Sequence, residues 1–250
     1  NFLSKNDFVI SHHRSHAHYI AKGGSLKKML AEMYGKKDGC CKGRGGSMHL
    51  FDDSVGMKSS IPIVGSSIAI AAGNALALKL KNKNNKNIAV VIFGDGAIEE
   101  GIFYETLNFS IIKKLPILFV CENNLYSVYS SLSSRQPKDR KIYKMVEAMG
   151  VDSDIADGNN VEDVYRLTKE AVTKIKETGK PRFIELSTYR WLEHCGPNFD
   201  DDIGYRSPEE FKAWKKQDPI ELYIKTLLEK KIITKTDIVK IKKKIRQEVK

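Results

Sequence analysis

Long apolar runs and cysteine-rich patterns are both missing from this chain of 250 residues. No stretch reaches the ~18 consecutive apolar residues that a membrane-spanning helix needs, so we expect no membrane partner. The four cysteines form neither a CxxC pair nor a zinc-finger spacing, which argues against a structural zinc site. So few cysteines indicate a reducing compartment, and we therefore expect the protein in the cytoplasm.

A signal-peptide pattern is also absent, and the chain begins at Asn1 rather than at Met. We expect that the start is truncated or that a further segment precedes it. The length is sufficient to bury a sizeable core as one large domain. We therefore predict a single domain over residues 1–250, with its core at about 10–190 and a C-terminal loop and helices at 191–250.

Basic residues outnumber acidic ones, and part of the net charge of +11 lies in the lysine-rich tail at 225–250. Isoleucines recur there at near-helical spacing, which predicts an amphipathic helix with a solvated basic face. Two tail helices in all are predicted after the loop at 190–206. A basic face can bind nucleic acid, but the tail has no interleaved aromatic residues and no DNA- or RNA-binding motif. We expect no nucleic-acid partner, and an acidic partner remains a second interpretation of this surface.

Apolar, β-branched runs alternate along the chain with segments of helical periodicity. Residues 88–93 and 116–121 are predicted to be buried strands, and residues 97–114 between them to be a helix. A further helix and strand are predicted at 161–178 and 182–188. This alternation predicts an α/β fold, with a doubly wound, mostly parallel sheet and helices on both faces. Irregular or loop segments are predicted at 35–60, 127–141 and 190–206.

The segment 64–80 is predicted to be a helix crowded with glycine, alanine and serine. Small side chains let another backbone approach closely. Either the helix packs tightly inside the domain, or it contacts a helix of another subunit. Both interpretations predict that a large residue at Gly73 or Ala77 would overpack the contact.

The most specific feature is Gly94-Asp95-Gly96 followed by Asn124, which lies 29 positions after Asp95. Each motif follows a predicted strand, and ligands of parallel sheets bind at the carboxyl ends of strands. An aspartate carboxylate and an asparagine carbonyl brought together there form a hard-oxygen site suited to Mg²⁺ or Ca²⁺. The glycines beside Asp95 let a phosphate approach the backbone at the start of the next helix.

The combination of Gly94-Asp95-Gly96 with Asn123-Asn124 resembles the signature of thiamine diphosphate enzymes, a GDG followed by NN at this spacing. The helix text at 101–108 is also similar to that family. The chain most resembles the α subunit of the decarboxylating first component of 2-oxo acid dehydrogenase complexes, of the pyruvate and acetoin dehydrogenase type. The resemblance implies the diphosphate-binding half of the thiamine diphosphate-binding fold.

The same resemblance implies a set of cofactor contacts. The Mg²⁺ ligands are expected to be the side chains of Asp95 and Asn124 and the backbone carbonyl of Tyr126. Further contacts are expected through the backbone, from the amides of Gly96 and Ala97 to the diphosphate and from Val64 to the aminopyrimidine.

Four of the six histidines are clustered at positions 12, 13, 16 and 18. The text at 13–17 resembles the family's Tyr-Arg-x-His-Gly, whose arginine grips the diphosphate. By this match Arg14 is a phosphate ligand, because a guanidinium forks onto phosphate oxygens. His13 replaces the family's tyrosine as a cofactor contact, and His16 takes a catalytic role. A histidine-bound metal is the alternative, although suitable carboxylate or cysteine ligands are missing nearby.

The polar loop that begins after the last predicted strand resembles a family loop whose histidine faces the diphosphate and the reacting centre. That histidine falls on His194, which the resemblance makes both a cofactor contact and a catalytic residue. Cys195 stands where some relatives carry a phosphorylated serine, which argues against regulation by phosphorylation at this position.

The resemblance also implies a partner chain. The glutamate that protonates the cofactor's pyrimidine comes from the β subunit in two-chain members, and nothing here is placed to replace it. An α₂β₂ heterotetramer is therefore implied, which decarboxylates a small 2-oxo acid and passes the acyl unit to a lipoyl-bearing acyltransferase. Residues 191–198 differ from the usual pyruvate dehydrogenase loop, so an acyloin-forming or sugar-modifying carboligase remains open.

Two alternatives belong to other functional classes. An NAD-binding dehydrogenase needs GxGxxG after its first strand, whereas Gly94, Gly96 and Gly101 have the spacing GxG-x₄-G. A non-catalytic basic interaction module leaves the pairing of Asp95 with Asn124 unexplained.

Overall fold

A computed structural model of the chain describes residues 2–81 and 86–250. The chain divides into two compact units. The first unit comprises Asn1–Gly158 and Glu162–Arg190, and the second comprises Asn159–Val161 and Trp191–Lys250.

The first unit is built on a six-stranded sheet in the order β2-β1-β3-β4-β8-β7. All neighbouring strands of this sheet run parallel. A separate two-stranded antiparallel ribbon is formed by β5 and β6. The strands are β1 (Phe8–His12), β2 (Met57–Ile61), β3 (Ala89–Gly94), β4 (Ile117–Asn123), β5 (Tyr126–Ser127), β6 (Ser130–Ser131), β7 (Asp152–Asp157) and β8 (Arg182–Ser187).

Helices cover both faces of the sheet. On one face α3, α4 and α6 pack against Val91 and Phe119, and on the other face α1, α2 and α7 pack against Val90 and Leu118. Successive residues of a strand point to opposite faces, so β3 and β4 contribute apolar side chains to both layers. The helices are α1 (His16–Ala21), α2 (Leu26–Met33), α3 (Ser66–Lys81), α4 (Gly101–Ile112), α5 (Leu132–Arg135), α6 (Ile142–Ala148) and α7 (Val161–Thr178).

These features confirm the predicted doubly wound, mostly parallel α/β sheet. Several local predictions were wrong. The helix predicted at 97–114 is a 3₁₀ turn (Asp95–Glu99) followed by α4, because Glu100 is extended and separates them. Within the segment predicted to be irregular, Met57–Ile61 forms β2, which pairs with β1. Its polar residues gave no strand pattern in the sequence.

The second unit contains three helices where two were predicted. Each begins at a capping side chain, which accepts a hydrogen bond from a backbone N–H of the first turn. Proline follows the cap in the first two, a position where its missing N–H costs no hydrogen bond. The helices are α8 (Pro208–Lys215), α9 (Pro219–Glu229) and α10 (Lys235–Val249).

Across the part of the chain that the structure describes, no helix has both the length and the apolarity that crossing a membrane requires.

Candidate active site

Strands β3 and β4 are neighbours in register, with Gly94 opposite Glu122. Their carboxyl ends therefore bring Asp95 and Asn124 to the same edge of the sheet. The backbone N–H of Asn124 donates to Oδ1 of Asp95 at 3.3 Å. The two residues that the sequence motif singled out are thus in direct contact, and their role as metal ligands remains a prediction.

The Asp95 carboxylate is almost completely buried, at 1% relative exposure. Burial disfavours the charged form and raises the pKa of Asp95 above its usual range. Hydrogen bonds from Arg135 and from the Asn124 backbone act in the opposite direction. Because burying a lone carboxylate is costly, this site is favourable for a positive charge placed beside Asp95.

Arg135, which no sequence motif singled out, supplies such a charge. One nitrogen of its guanidinium donates to Asp95 Oδ2 and the other to Oε1 of Glu99. Gln136 Nε2 also donates to Glu99, at 3.0 Å. Arg135 ends the one-turn helix α5, inside a segment that was predicted to be a polar loop. No local pattern could have revealed this contact, because Arg135 and Asp95 are 40 positions apart.

Both asparagines of the motif shape the turn after β4. Asn124 Oδ1 accepts the Tyr126 N–H at 3.1 Å, and Asn123 Oδ1 accepts the Leu125 N–H at 3.2 Å. Asn123 also donates from Nδ2 to Glu185 Oε1 at 2.8 Å, which ties the turn to β8. These bonds hold the Tyr126 backbone close to Asn124.

The donor chemistry at this edge suits a hard divalent cation. The buried carboxylate of Asp95, the amide oxygen of Asn124 and the carbonyl of Tyr126 are all oxygen donors, which Mg²⁺ prefers. Gly96 lies against Ser127, the residue after Tyr126, since an added Cβ would meet Ser127 Oγ at 2.7 Å. Ala97 is buried in the 3₁₀ turn that follows Asp95.

A second polar cluster lies at the ends of β1 and β4. Glu122 accepts from His12 Nε2 at 2.8 Å and from His18 Nε2 at 3.2 Å. His12 Nδ1 accepts the Arg14 N–H at 3.0 Å, so in neutral His12 the proton is on Nε2. Burial raises the pKa of Glu122, but the two histidines outweigh it and hold that pKa well below the usual range. Glu122 was not among the predicted site residues, although it directly precedes the asparagine pair.

The other N-terminal residues lie around this cluster. The backbone N–H of Arg14 contacts the His12 ring, and the rings of His12 and His13 are 5.9 Å apart. His16 Nε2 is 2.9 Å from Ser47 Oγ, so it contacts the glycine-rich segment instead. The alternative of a histidine-bound metal gains no support. Among the described residues, the only cluster of three potential metal ligands contains no histidine.

That group combines Glu32 with Cys40 and Cys41, whose thiols are free. The Glu32 carboxylate is already saturated by four backbone N–H groups, which would oppose a cation there. Burial raises the pKa of Glu32, and these N–H groups outweigh burial and lower it. The glycine-rich loop is therefore folded around a buried carboxylate. The four donors are the backbone N–H groups of Cys41, Gly43, Gly45 and Gly46.

The whole chain, residues 1–250, matches the dehydrogenase E1 component family. The protein belongs to that family. It is 37% identical to the pyruvate dehydrogenase E1 component subunit alpha of Rickettsia felis over 246 residues, which is 98% of this chain and 74% of the relative. The subunit alpha-3, chloroplastic, of Arabidopsis thaliana is 35% identical over 247 residues, 97% of this chain and 57% of the relative. Family membership confirms the resemblance to α subunits of 2-oxo acid dehydrogenases.

Two further expected site residues of this E1 chain are Val64, in the first unit, and His194, in the second unit. Val64 is exposed and precedes α3, next to Gly65 in a left-handed conformation. His194 belongs to the second unit, where Glu193 Oε1 accepts from Asn198 Nδ2 at 2.9 Å and fixes the adjoining loop. The roles of Val64 and His194 toward a cofactor remain predictions.

Proposed function

We propose that this E1 chain is the thiamine diphosphate- and Mg²⁺-binding α subunit of a heteromeric enzyme that decarboxylates a 2-oxo acid. The contact between Asp95 and Asn124 at the ends of adjacent strands carries the proposal. Membership of the dehydrogenase E1 component family supports it, as do relatives named pyruvate dehydrogenase E1 component subunit alpha.

In this proposal Asp95, Asn124 and the Tyr126 carbonyl hold Mg²⁺. The amides of Gly96 and Ala97, at the start of the 3₁₀ turn, face the diphosphate. The remaining cofactor contacts come from three residues outside this turn. Arg14 and His13 bind the diphosphate, and the Val64 backbone binds the aminopyrimidine. When bound, the cofactor supplies the nucleophile and the electron sink that decarboxylation needs.

Two histidines are proposed to handle protons. His194 moves a proton near the reacting carbon, since an imidazole titrates close to neutral pH. His16 is placed by Ser47, whose hydroxyl lies 2.9 Å from its Nε2, so one ring nitrogen is engaged. That contact fixes the His16 ring and leaves Nδ1 as the atom proposed to exchange a proton.

A β subunit is proposed to supply the catalytic glutamate, within an α₂β₂ assembly. Helix α3 supports this partner, because it buries one face and exposes the other. Ile70, Gly73, Ala77 and Leu80 form an exposed stripe along α3, and a Cβ added at Gly73 would meet nothing within 4 Å. An exposed stripe of small and apolar residues suits close packing against another helix.

The acyl acceptor is proposed to be the lipoyl group of an acyltransferase, in the cytoplasm. An acyloin-forming or sugar-modifying carboligase is the alternative within the family, because the loop that holds His194 differs from the usual pyruvate dehydrogenase loop. The NAD-binding dehydrogenase and the non-catalytic module are not retained, since family membership argues against both.

Reconstitution of the chain with its β subunit tests the reaction. Release of CO₂ from pyruvate and other 2-oxo acids is measured with Mg²⁺ and thiamine diphosphate, with either lipoamide or acetaldehyde as the acceptor. We expect acyl transfer to lipoamide. Acyloin formation alone would favour the carboligase, and no CO₂ release from any 2-oxo acid would contradict the proposal.

A further inference from the structure

Arg135 is held between two carboxylates. Its guanidinium donates to Asp95 through Nη2 and to Glu99 through Nη1. The Arg135 side chain is 11% exposed, Asp95 is 1% exposed and Glu99 is 29% exposed. The contact with Asp95 is therefore the more deeply buried of the two, where charge-assisted hydrogen bonds are strong.

Both oxygens of Asp95 already have donors. Oδ1 accepts the Asn124 N–H, and Oδ2 accepts from Arg135. Each oxygen keeps a second lone pair, but the positive charge of the guanidinium beside Oδ2 repels a cation that approaches the same oxygen. The Asn124 bond comes from the backbone of the turn, so Oδ2 is the oxygen that side-chain movement can release.

We propose that Arg135 is an internal counter-ion that competes with the metal for Asp95, so that metal loading moves the guanidinium off Oδ2. The inference rests on the proposed Mg²⁺ and thiamine diphosphate site. Arg135 balances the buried charge of Asp95 and lowers the apparent affinity for the metal, because the metal must displace it.

The surroundings of Arg135 allow this exchange without unfolding the segment. Glu99 holds the second branch of the guanidinium, and Nε donates to the Ser130 carbonyl at 3.2 Å. A rotation that gives up the bonds to Asp95 and Ser130 therefore still leaves one ion pair in place. Ser131 caps the single turn of α5 by accepting the Ser134 N–H at 3.3 Å. Gln136 remains on Glu99 through a bond that does not involve Asp95.

The test compares Arg135→Gln with the matched control Arg140→Gln in the full chain assembled with its β subunit. Arg140 is exposed in the same segment, so its removal changes the net charge equally without touching Asp95. Mn²⁺ replaces Mg²⁺ as an oxygen-binding probe, and its affinity with excess thiamine diphosphate is measured by electron paramagnetic resonance. Thermal unfolding is followed with EDTA and with saturating metal and cofactor.

We expect Arg135→Gln to bind Mn²⁺ about tenfold more tightly than the wild type, since losing one charge-assisted bond changes affinity by about that factor. In EDTA the variant should melt below the wild type, because Asp95 loses its counter-ion, and this difference should disappear on loading. Arg140→Gln should match the wild type in both measurements.

Unchanged or weaker Mn²⁺ binding by Arg135→Gln would overturn the inference, because Arg135 would then be a structural ion pair or a diphosphate ligand. The inference would also be overturned if Arg135→Gln still unfolded at a lower temperature than the wild type with saturating metal and cofactor. If the wild type itself bound neither metal nor cofactor, the proposed function would fail as well, so the two failures are distinguishable.

Discussion

His12 Nε2 lies 2.8 Å from Oε2 of Glu122, and the two residues are 110 positions apart in the chain. Strand β3 lies between their strands, β1 and β4, in the sheet. The pair therefore spans the edge at which Asp95 begins its 3₁₀ turn. Through its other ring nitrogen, His12 accepts the Arg14 N–H and so connects Glu122 to the proposed diphosphate ligand.

Replacing Glu122 with glutamine is expected to destabilise the chain by about 1–2 kcal/mol, because two bonds from imidazole groups lose their charged acceptor. Urea unfolding measures the change. Glu147→Gln, at an exposed position of α6, is the control. Equal stability of the two variants would show that the histidines do not depend on the Glu122 charge.

The Glu32 carboxylate organises the glycine-rich loop, and Glu32→Gln should cost about 3 kcal/mol. Glutamine presents one oxygen and an amide group, so at least one buried backbone N–H loses its acceptor. Urea unfolding checks this against Glu177→Gln, an exposed residue of α7. A loss no larger than that of the control would contradict this role.

The lowered pKa of Glu32 also determines whether its contribution to stability rises or falls with pH. Its stabilisation is fully present above the unfolded glutamate pKa of about 4.3 and is lost as pH falls towards the lower folded value. The stability difference between the wild type and Glu32→Gln should therefore shrink below about pH 4. A difference that grows with acidification would show that the sign is wrong.

Substitutions in the exposed stripe on α3 should affect assembly with the β subunit without destabilising the free chain. Gly73→Leu should leave the free chain as stable as before or slightly more stable, since open space surrounds Gly73 and leucine favours helix. The same change should prevent assembly with the β subunit, as light scattering would show. Ala75→Leu, at a fully buried position of the same helix, should instead destabilise the free chain. Normal assembly of Gly73→Leu would remove α3 from the proposed interface.

Sequence patterns identified the parts of the fold that depend on local composition. The β-branched runs of β3 and β4 and the periodicity of α7 are determined by burial, which is visible in the residue types. Strand β2 was missed because Lys58 and Ser59 resemble loop residues, and only pairing with β1 makes them a strand.

In the candidate site too, some contacts could be predicted from the sequence and others depend on how distant segments pack. The contact between Asp95 and Asn124 was expected, because strand ends in a parallel sheet have a known geometry. The ion pair of Arg135 with Asp95 depends on where the one-turn helix α5 packs against the sheet end. Neither hydrophobic periodicity nor motif spacing in the sequence predicts that position. The contacts of Glu122 with His12 and His18 likewise depend on the strand order, which the sequence alone left open.

Thermal unfolding of the chain with its β subunit, with and without Mg²⁺ and thiamine diphosphate, tests the central claim most directly. A ligand that binds only the folded state raises the unfolding midpoint. We expect the wild type and the exposed control Asp139→Asn to show this rise and Asp95→Asn to lose it. No rise in the assembled wild type, or an undiminished rise in Asp95→Asn, would contradict the assignment of Asp95 to the metal–cofactor site.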